Sequence, residues 1–479
     1  GYYINNYKMV KVFAEEMPAR IHDLESYGVI FDRLDSGEFY TWAGPKQKYP
    51  LNVCVGYYTG REMMQGLVDE ARKLKIKYTD EFFISKLLTV KGKIIGAMGI
   101  NIRNAQIVVF QTKSVILASG GAGRMYKVTT NAMSNTGDGY AMALDAGAEL
   151  IDMEMVQFHP TGMANTPSTL GVLVTEKTRA HGGILRNIKG ERFMSKYYPV
   201  EMELAKRDEV SRSIYTEVAA GLGTKNGSVY LHVDHWTKEK ILEIIPDVYE
   251  QYKNTGVDIS KEPMEIYPSM HHMMGGIKVD EWCRSSIPGL FAAGEVTRNV
   301  HGANRLGGNS IAEGQVFGRR SGISAAKFAK KVKNISLPKD QIEKEQTRIF
   351  SFINRKAGVT PHVVEDKLKQ VMWDKVGIFR DEKRLLEAKK AIAKLKIEAK
   401  IMKTRTTLKE RNRDLQDCLE IENMLITAES IVDAAILRKE SRGAHSRTDY
   451  PKTKKEWEKN ISIKIVNEKL ITEIVDVVR

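Results

Sequence analysis

Apolar residues recur at helical spacing from Tyr7 to Tyr27. The stretch "TGREMMQGLVDEARKLKI" from Thr59 repeats that spacing, with a threonine near its start and lysines near its end. Two core-covering helices are predicted. The period then changes: "KIIGAMGINIRNAQIVVFQTKSVILASGGAG" is β-branched and strand-like, turns at Arg103-Asn104 and ends in Gly120, Gly121 and Gly123. "NTGDGYAMALDAGAEL" reads as a loop opening a helix of small residues that can lie close to a sheet. Residues 161–270 differ, with polar loops, two more possible strands and a helix at "RDEVSRSIYTEVAAGL", and are read as an inserted domain. Strand-turn-helix character resumes at "GGIKVD" and "GLFAAGEV". Beyond "NISLPKD" helices dominate, and "EKRLLEAKKAIAKLKIEAKIM" and "ENMLITAESIVDAAILRKE" both carry an apolar stripe between charges. The expected organisation is an α/β domain in two parts, 1–160 and 271–335, an insertion at 161–270, and a helical region with a tail at 336–479.

Composition narrows this picture. The 479 residues suffice for about three domains of about 150 residues, and 42% hydrophobic content can fill several cores. Lys+Arg outnumber Asp+Glu by 74 to 60, a formal charge of +14 that suits nucleic acid, an acidic membrane surface, an acidic partner or an anionic small substrate. Charge alone does not choose; the lysine-rich helix from Lys383 is read as a solvated bundle face rather than a nucleic-acid contact. Cys54, Cys283 and Cys418 lie far apart, without a C-x-x-C pair, so neither a zinc site nor a cysteine-ligated iron–sulfur cluster is encoded, and a reducing compartment fits. No metal site is expected. No stretch approaches the ~20 apolar residues of a membrane span, and the first residues read as a helix, not a signal sequence. The chain starts at Gly1 without a methionine, which suggests a missing upstream segment.

Glycine turns between strand and helix offer backbone N–H groups to phosphate or another anion. "ASGGAG" and "TGDG" are two such places, although neither matches G-x-G-x-x-G, and ordinary tight turns explain them equally well. Glu295, after "FAAG", stands where a ribose or ribityl hydroxyl is commonly bound; a helix-start acid is the alternative. Polar groups also interrupt apolar stretches at His159, at Thr175, Glu176 and Arg179, at Arg207, at His271 and His272, and at Arg305 in "HGANRLGGNS". Cationic and hydrogen-bonding side chains with little acid to neutralise them suit a dicarboxylate, because arginine presents a planar fork to a carboxylate. Individually, each reads as readily as a turn residue or a surface pair; the set gains meaning only if it converges.

The stretches "ASGGAGRMY", "NTGDGYAMALDAGAEL", "MVQFHPTG", "LVTEKTRAHGGIL", "KRDEVSRSI", "HHMMGGIKVD", "GLFAAGEV", "HGANRLGGNSIAEG" and "ESRGAHSRTDYP", in this order and spacing, resemble the flavoprotein subunit of fumarate reductase and succinate dehydrogenase, with L-aspartate oxidase as a close relative. The resemblance runs from near residue 1 to about Pro451. It implies a Rossmann-like FAD-binding domain, incomplete at its N-terminus, a mobile α+β capping domain inserted in it, and a C-terminal helical domain. Gly120, Gly121, Ala122, Gly123, Asp138, His272, Glu295 and the stretch Arg305, Leu306, Gly307, Gly308, Asn309, Ser310 and Ile311 are then expected to contact FAD. His159, Thr175, His271 and Arg305 are expected to clamp the two carboxylates of fumarate or succinate. The resemblance also implies hydride transfer from flavin N5 to one alkene carbon and proton donation by Arg207 to the other, with Glu176 and Arg179 relaying protons and His159 assisting.

Arginine, with an ordinary pKa above about 12, is a poor acid in water, so such a donor requires cationic surroundings, a carbanion-like acceptor and closure of the cap over the substrate. The implied partners are the dicarboxylate and a separate iron–sulfur subunit, with no nucleic acid and membrane contact only through partner subunits. The implied location is the cytoplasm, at the inner face of the cell membrane as part of a complex. The family's N-terminal βαβ unit, which carries the pyrophosphate loop and the histidine that bonds covalently to FAD in many members, has no counterpart here. Members usually read T-E-x-x-R-G-E-G-G, whereas Ala180-His181 replaces Gly-Glu, a change that bears on the proton route. "YTWAGPKQKYPLNVCVGYYTG" also departs from the relatives' substrate-side loop. Two rival readings are L-aspartate oxidase, for which no amino-recognising acid is evident near residues 40–60, and a cofactor-free binding protein that retains the fold.

Overall fold

The computed structural model describes residues 1–479 except Lys46, Asn299 and Asn334. Helix α1 (Tyr7–Ser26) leads to a short hairpin, β1 (Thr41–Trp42) and β2 (Asn52–Val53), and to α2 (Thr59–Lys73). An antiparallel meander follows, β3 (Phe82–Val90), β4 (Lys93–Asn101) and β5 (Ile107–Gln111), turning near Arg103 as the pattern predicts. Next come β6 (Val115–Leu117), α3 (Asp138–Asp145), β7 (Leu150–Ile151) and β8 (Val156–Met163). The following stretch holds α4 (Lys177–Ala180), β9 (Ile184–Arg186), α5 (Met194–Tyr197), α6 (Arg207–Glu217), β10 (Val229–His232), α7 (Lys238–Ile244) and α8 (Pro246–Lys253), and closes with β11 (Met264–Met273). β12 (Gly276–Ile277), β13 (Leu290–Ala292) and α9 (Asn309–Lys331) precede the helices α10 (Lys339–Asn354), α11 (Pro361–Lys375), α12 (Glu382–Ala399) and α13 (Arg413–Leu437). The described chain ends in the hairpin β14 (Lys459–Val466) and β15 (Lys469–Asp476).

Two apolar cores organise these elements. The larger joins the meander, α3, β13, α9 and the C-terminal helices, with α13 buried among them. The second, from Met163 to Ile266, is built by Val174, Leu185, Ile214, Leu231, Val248 and their neighbours around the sheet β8-β11-β10-β9. β8 and β11 are paired along most of their length, so the residues at their inner ends lie at the margin between the two cores.

The last third is helical through α13, as expected, and the tail beyond it adds two strands. β14 pairs with β7, giving the antiparallel sheet β12-β7-β14-β15, so the last strands complete a sheet begun three hundred residues earlier in the chain. Buried ion pairs hold them there: Asp152 accepts from Asn460 and Ile461 and pairs with Arg298, while Arg438 pairs with Glu154. Periodicity gave no sign of this closure because β15 is largely exposed and its alternation is weak.

β6 and β13 pair in parallel, Ile116 opposite Phe291, and both deliver their C-terminal ends to glycine turns at one edge of the molecule. That edge, where parallel strands end, is where α/β folds place ligands.

Candidate active site

The two histidine-bearing strands are adjacent. His159 on β8 lies across from Ser269 on β11, and β11 has register shifts at Tyr267/Ser269 and Met270/His272. A bulge re-aims side chains, and here it lets two consecutive histidines both face inward. His271 Nδ1 lies 2.7 Å from Thr130 Oγ1, and its ring centre is 5.1 Å from that of His159. His272 turns instead toward Glu295, Nδ1 to Oε2 3.5 Å, with its ring 5.2 Å from that of His301.

Arg207 opens α6, where Glu209 caps the backbone N–H of Lys206. The positive end of the helix dipole is unfavourable for a cation, and the acids of the first turn together with Glu176 offset it. Arg207 grips Glu176 with both arms, Nε and one terminal nitrogen each 2.9 Å from a carboxylate oxygen, while its other terminal nitrogen donates to Gln157 Oε1 at 3.2 Å. Arg179, fully buried, donates to Glu176 Oε1 at 3.1 Å and to the backbone oxygen of Glu203 at 2.7 Å. Burial pushes the Glu176 carboxyl up, but Arg207, then Arg179 and Arg305, outweigh it and bring it down to about 2.

Arg305 follows in the turn before α9. It is buried, its Nε has no hydrogen-bond partner, and burial followed by repulsion from Arg207 lowers its pKa to about 9. Burial, then Arg207, Arg179 and Arg305, hold His159 well below its ordinary value; burial, then Arg305, His159 and Arg207, do the same to His271. Both rings are therefore neutral at pH 7. Gly307 explains part of the glycine density of this turn: a Cβ there would sit 2.6 Å from Glu176 Oε2 and 3.3 Å from an Arg207 nitrogen. Gly308 adopts φ +81° at the start of α9, which has no side-chain cap.

The structure thus brings His159, His271, Arg305, Arg207, Glu176 and Arg179 together. Thr175 lies beside them, its hydroxyl accepting from the Lys177 N–H at 3.4 Å. Asp138 is not part of this set: its carboxylate is engaged by Thr136 at 2.5 Å and by Asn423 of α13 at 2.7 Å. The reading of motifs missed Gln157 and Asn304. Gln157 Nε2 donates to Asn304 Oδ1 at 2.6 Å and to the Arg305 backbone oxygen at 2.8 Å, and Asn304 in turn donates to Asp208 at 2.5 Å. The signal was available for Gln157, which shares a strand face with His159 two residues on.

A cavity of about 710 Å³ is lined by Glu176, Arg207, His301, Arg305 and Gly307 together with the aromatic side chains of Tyr2, Tyr7 and Phe13. Gly121 passes so close to Glu295 that a Cβ would lie 2.2 Å from its carboxylate. Glu295, held by the Met273 N–H at 2.8 Å, keeps part of its surface open at the same edge. Leu306, Gly308 and Ile311 are exposed around the uncapped N-terminus of α9. Aromatic walls, a carboxylate for hydroxyls and free helix N–H groups for anionic oxygens form a donor set that fits FAD.

Comparison with known proteins decides the family. A model of the FAD binding domain matches residues 1–311, and a model of the fumarate reductase flavoprotein C-terminal region matches residues 365–475. The chain belongs to the flavoprotein subunits of fumarate reductases and succinate dehydrogenases. It is 46% identical to a subunit of the fumarate reductase (CoM/CoB) of Methanothermobacter marburgensis, over 96% of this chain and 84% of that protein. It is 35% identical to the succinate dehydrogenase flavoprotein subunit of Coxiella burnetii, over 94% of this chain and 80% of that one. Its fold superposes on an E. coli quinol fumarate reductase with TM-score 0.95 at 31% identity, covering the whole of this chain and 85% of the other. Members of this family are FAD-dependent oxidoreductases, and this chain is one. Among the described residues no helix is long and apolar enough to cross a membrane, and no three His, Cys, Asp or Glu side chains gather to hold a metal ion.

Proposed function

We propose that this flavoprotein interconverts fumarate and succinate, and that it exchanges electrons with a separate iron–sulfur subunit. The observation that carries the reading is an imbalance of buried charge. Arg179, Arg207 and Arg305 all act on Glu176, and although Glu295 and Glu313 also attract Arg305, burial and Arg207 outweigh them and lower its pKa to about 9, the mark of a buried cation short of negative charge. A dianion with two carboxylates balances the set, and the unpartnered Arg305 Nε supplies a ready donor.

In this reading Arg305 takes one carboxylate through its planar fork. His159, His271 and Thr175 donate to the remaining oxygens; the two rings act by hydrogen bonding, since both are neutral at pH 7. Holding both carboxylates polarises the alkene and fixes one of its carbons near Arg207. Bound FAD, held by the Gly120–Gly123 turn, Glu295, His272 and the Arg305–Ile311 stretch, supplies hydride exchange with the other carbon. Arg207 gives a guanidinium proton to its carbon, and Glu176, in contact with both arginines, passes a replacement proton from Arg179. Gln157 keeps Arg207 and the Arg305 backbone in register. Succinate oxidation uses the same groups in reverse.

The three cysteines are buried and separate, in agreement with clusters residing on another chain, and relatives are named as subunits. We place the protein in the cytoplasm, at the inner membrane face when its partners anchor it. The FAD-loaded protein with reduced viologen dye tests the proposal. Fumarate-dependent dye oxidation is expected; no fumarate turnover, or peroxide production dependent on aspartate instead, would overturn it.

A further inference from the structure

The relay described above refills Arg207 from Arg179, but Arg179 is fully buried and must itself be recharged. The cavity side is closed to this purpose in turnover, because the cavity that opens onto Arg207 and Glu176 is the space taken by substrate and cofactor in the proposed function. Two residues after Arg179 stands His181, which is exposed and whose Nδ1 lies 2.9 Å from the Lys177 backbone oxygen, outside the charged set.

Another acid occupies the far side of Arg179. Glu203, buried, holds Arg179 through its backbone oxygen at 2.7 Å, and its carboxylate is fixed by the Leu185 N–H at 3.1 Å. The same carboxylate takes both arms of Arg192, at 2.9 and 2.5 Å. Arg192 has 41% of its side chain exposed. From the cavity outward the charges therefore alternate, Arg207, Glu176, Arg179, Glu203, Arg192, and end in solvent.

We propose that Glu203 is the entry point of the proton route to Arg207. The inference rests on the fumarate reading of the site. Arg207 loses one proton to the substrate carbon. The Glu176 carboxylate transfers one proton from Arg179 to Arg207, and Glu203 passes one from solvent to Arg179. Each group ends in the protonation state in which it began. Arg179 meets Glu203 through the backbone oxygen, and in the proposed route the proton from the carboxylate reaches Arg179 at Nε, which is buried without a hydrogen-bond partner. The charged groups facing Glu203 are Arg192 from the loop before α5 and Arg179 from α4, with Glu176 beyond it. Burial lowers the Arg179 pKa, while Glu176 and Glu203 raise it.

The test uses the FAD-loaded protein and the viologen assay. Glu203→Gln is expected to cut fumarate turnover by about 10²-fold, on the scale of a lost proton-transfer group, with FAD content unchanged. Small buffer acids should restore that turnover in a concentration-dependent way, a rescue that a merely structural loss does not show. Arg192→Gln, which leaves the carboxylate in place but removes the partly exposed group that joins it to solvent, should also lower fumarate turnover, and the same buffer acids should restore it. His181→Ala should leave turnover and its pH profile unchanged. Wild-type turnover together with a Glu203→Gln variant that is fully active, or impaired without buffer rescue, overturns the route and leaves the function standing. If Glu203→Gln fails to fold, full turnover in Arg192→Gln overturns it. A wild-type holoprotein inert toward fumarate overturns the functional reading itself, and the route with it.

Discussion

Replacing Glu176 by glutamine removes the anion shared by Arg207 and Arg179 while preserving shape. Its carboxyl falls from the ordinary 4.5 to about 2 despite burial, and at about 1.36 kcal/mol per pKa unit this is worth about 3 kcal/mol of folded-state stability. Because the folded value is the lower one, the contribution is fully present above pH 4.5 and is lost as pH falls through about 2. Glu176→Gln is therefore expected to be less stable than wild type by about 3 kcal/mol at pH 7, with the gap narrowing once the pH drops below about 4.5. Urea unfolding at pH 7 and pH 3.5, followed by circular dichroism, measures both. The amide cannot carry a proton between the two arginines, so viologen-linked fumarate turnover should fall by about 10²–10⁴-fold, with flavin absorbance unchanged. A stability gap that does not change with pH, or turnover close to wild type, would refute the assignment of Glu176 as both counter-ion and relay.

Arg207→Ala should abolish turnover, by about 10²–10⁴-fold on the scale of a lost proton donor, while FAD stays bound; normal rates would remove Arg207 from that role. His159→Ala should mainly raise the KM for fumarate, and an unchanged KM would argue against the clamp. Binding of a dicarboxylate at pH 7 should leave His159 and His271 neutral, because burial first and then the neighbouring arginines hold both rings well below their ordinary value. Calorimetry in two buffers of different ionisation enthalpy checks this, and uptake of about one proton or more on binding would count against hydrogen bonding by neutral rings. Gly307→Ala should lower turnover through the Glu176–Arg207 pair, since the added Cβ sits 2.6 Å from Oε2 of a carboxylate that Arg207 holds by one hydrogen bond to each oxygen. Unaltered kinetics in that variant would show that the turn yields freely.

Much of the site was legible as motifs. His159, Glu176, Arg179, Arg207, His271 and Arg305 each stood out as polar groups among small or apolar neighbours, and the structure gathers all six. Gln157 and Asn304 escaped although they adjoin recognised residues, because an amide carries no charge to mark it and its value lies in what it bridges. Asp138 shows the converse: its position at the start of α3 follows the motif, yet a residue 285 positions later, Asn423, takes its carboxylate. Glu203 escaped for another reason: it lies in a separate segment, and only the fold sets its backbone oxygen against Arg179.

What the sequence determined alone was local and chemical. Period separated α1, α2 and α12 from the strands of the meander, because apolar side chains must share a face. The ordered motifs named candidate donors, because arginine, histidine and threonine carry N–H and O–H groups that can bind carboxylate oxygens. The tertiary structure decided which of these groups meet and in what state. Convergence of β8, β11, α4, α6 and the turn before α9 removes water from around them. Only there does repulsion between Arg305 and Arg207 lower one cation to about 9 while Glu176 falls to about 2. Coulomb energies depend on distance and burial, and neither is written in the order of residues along a chain.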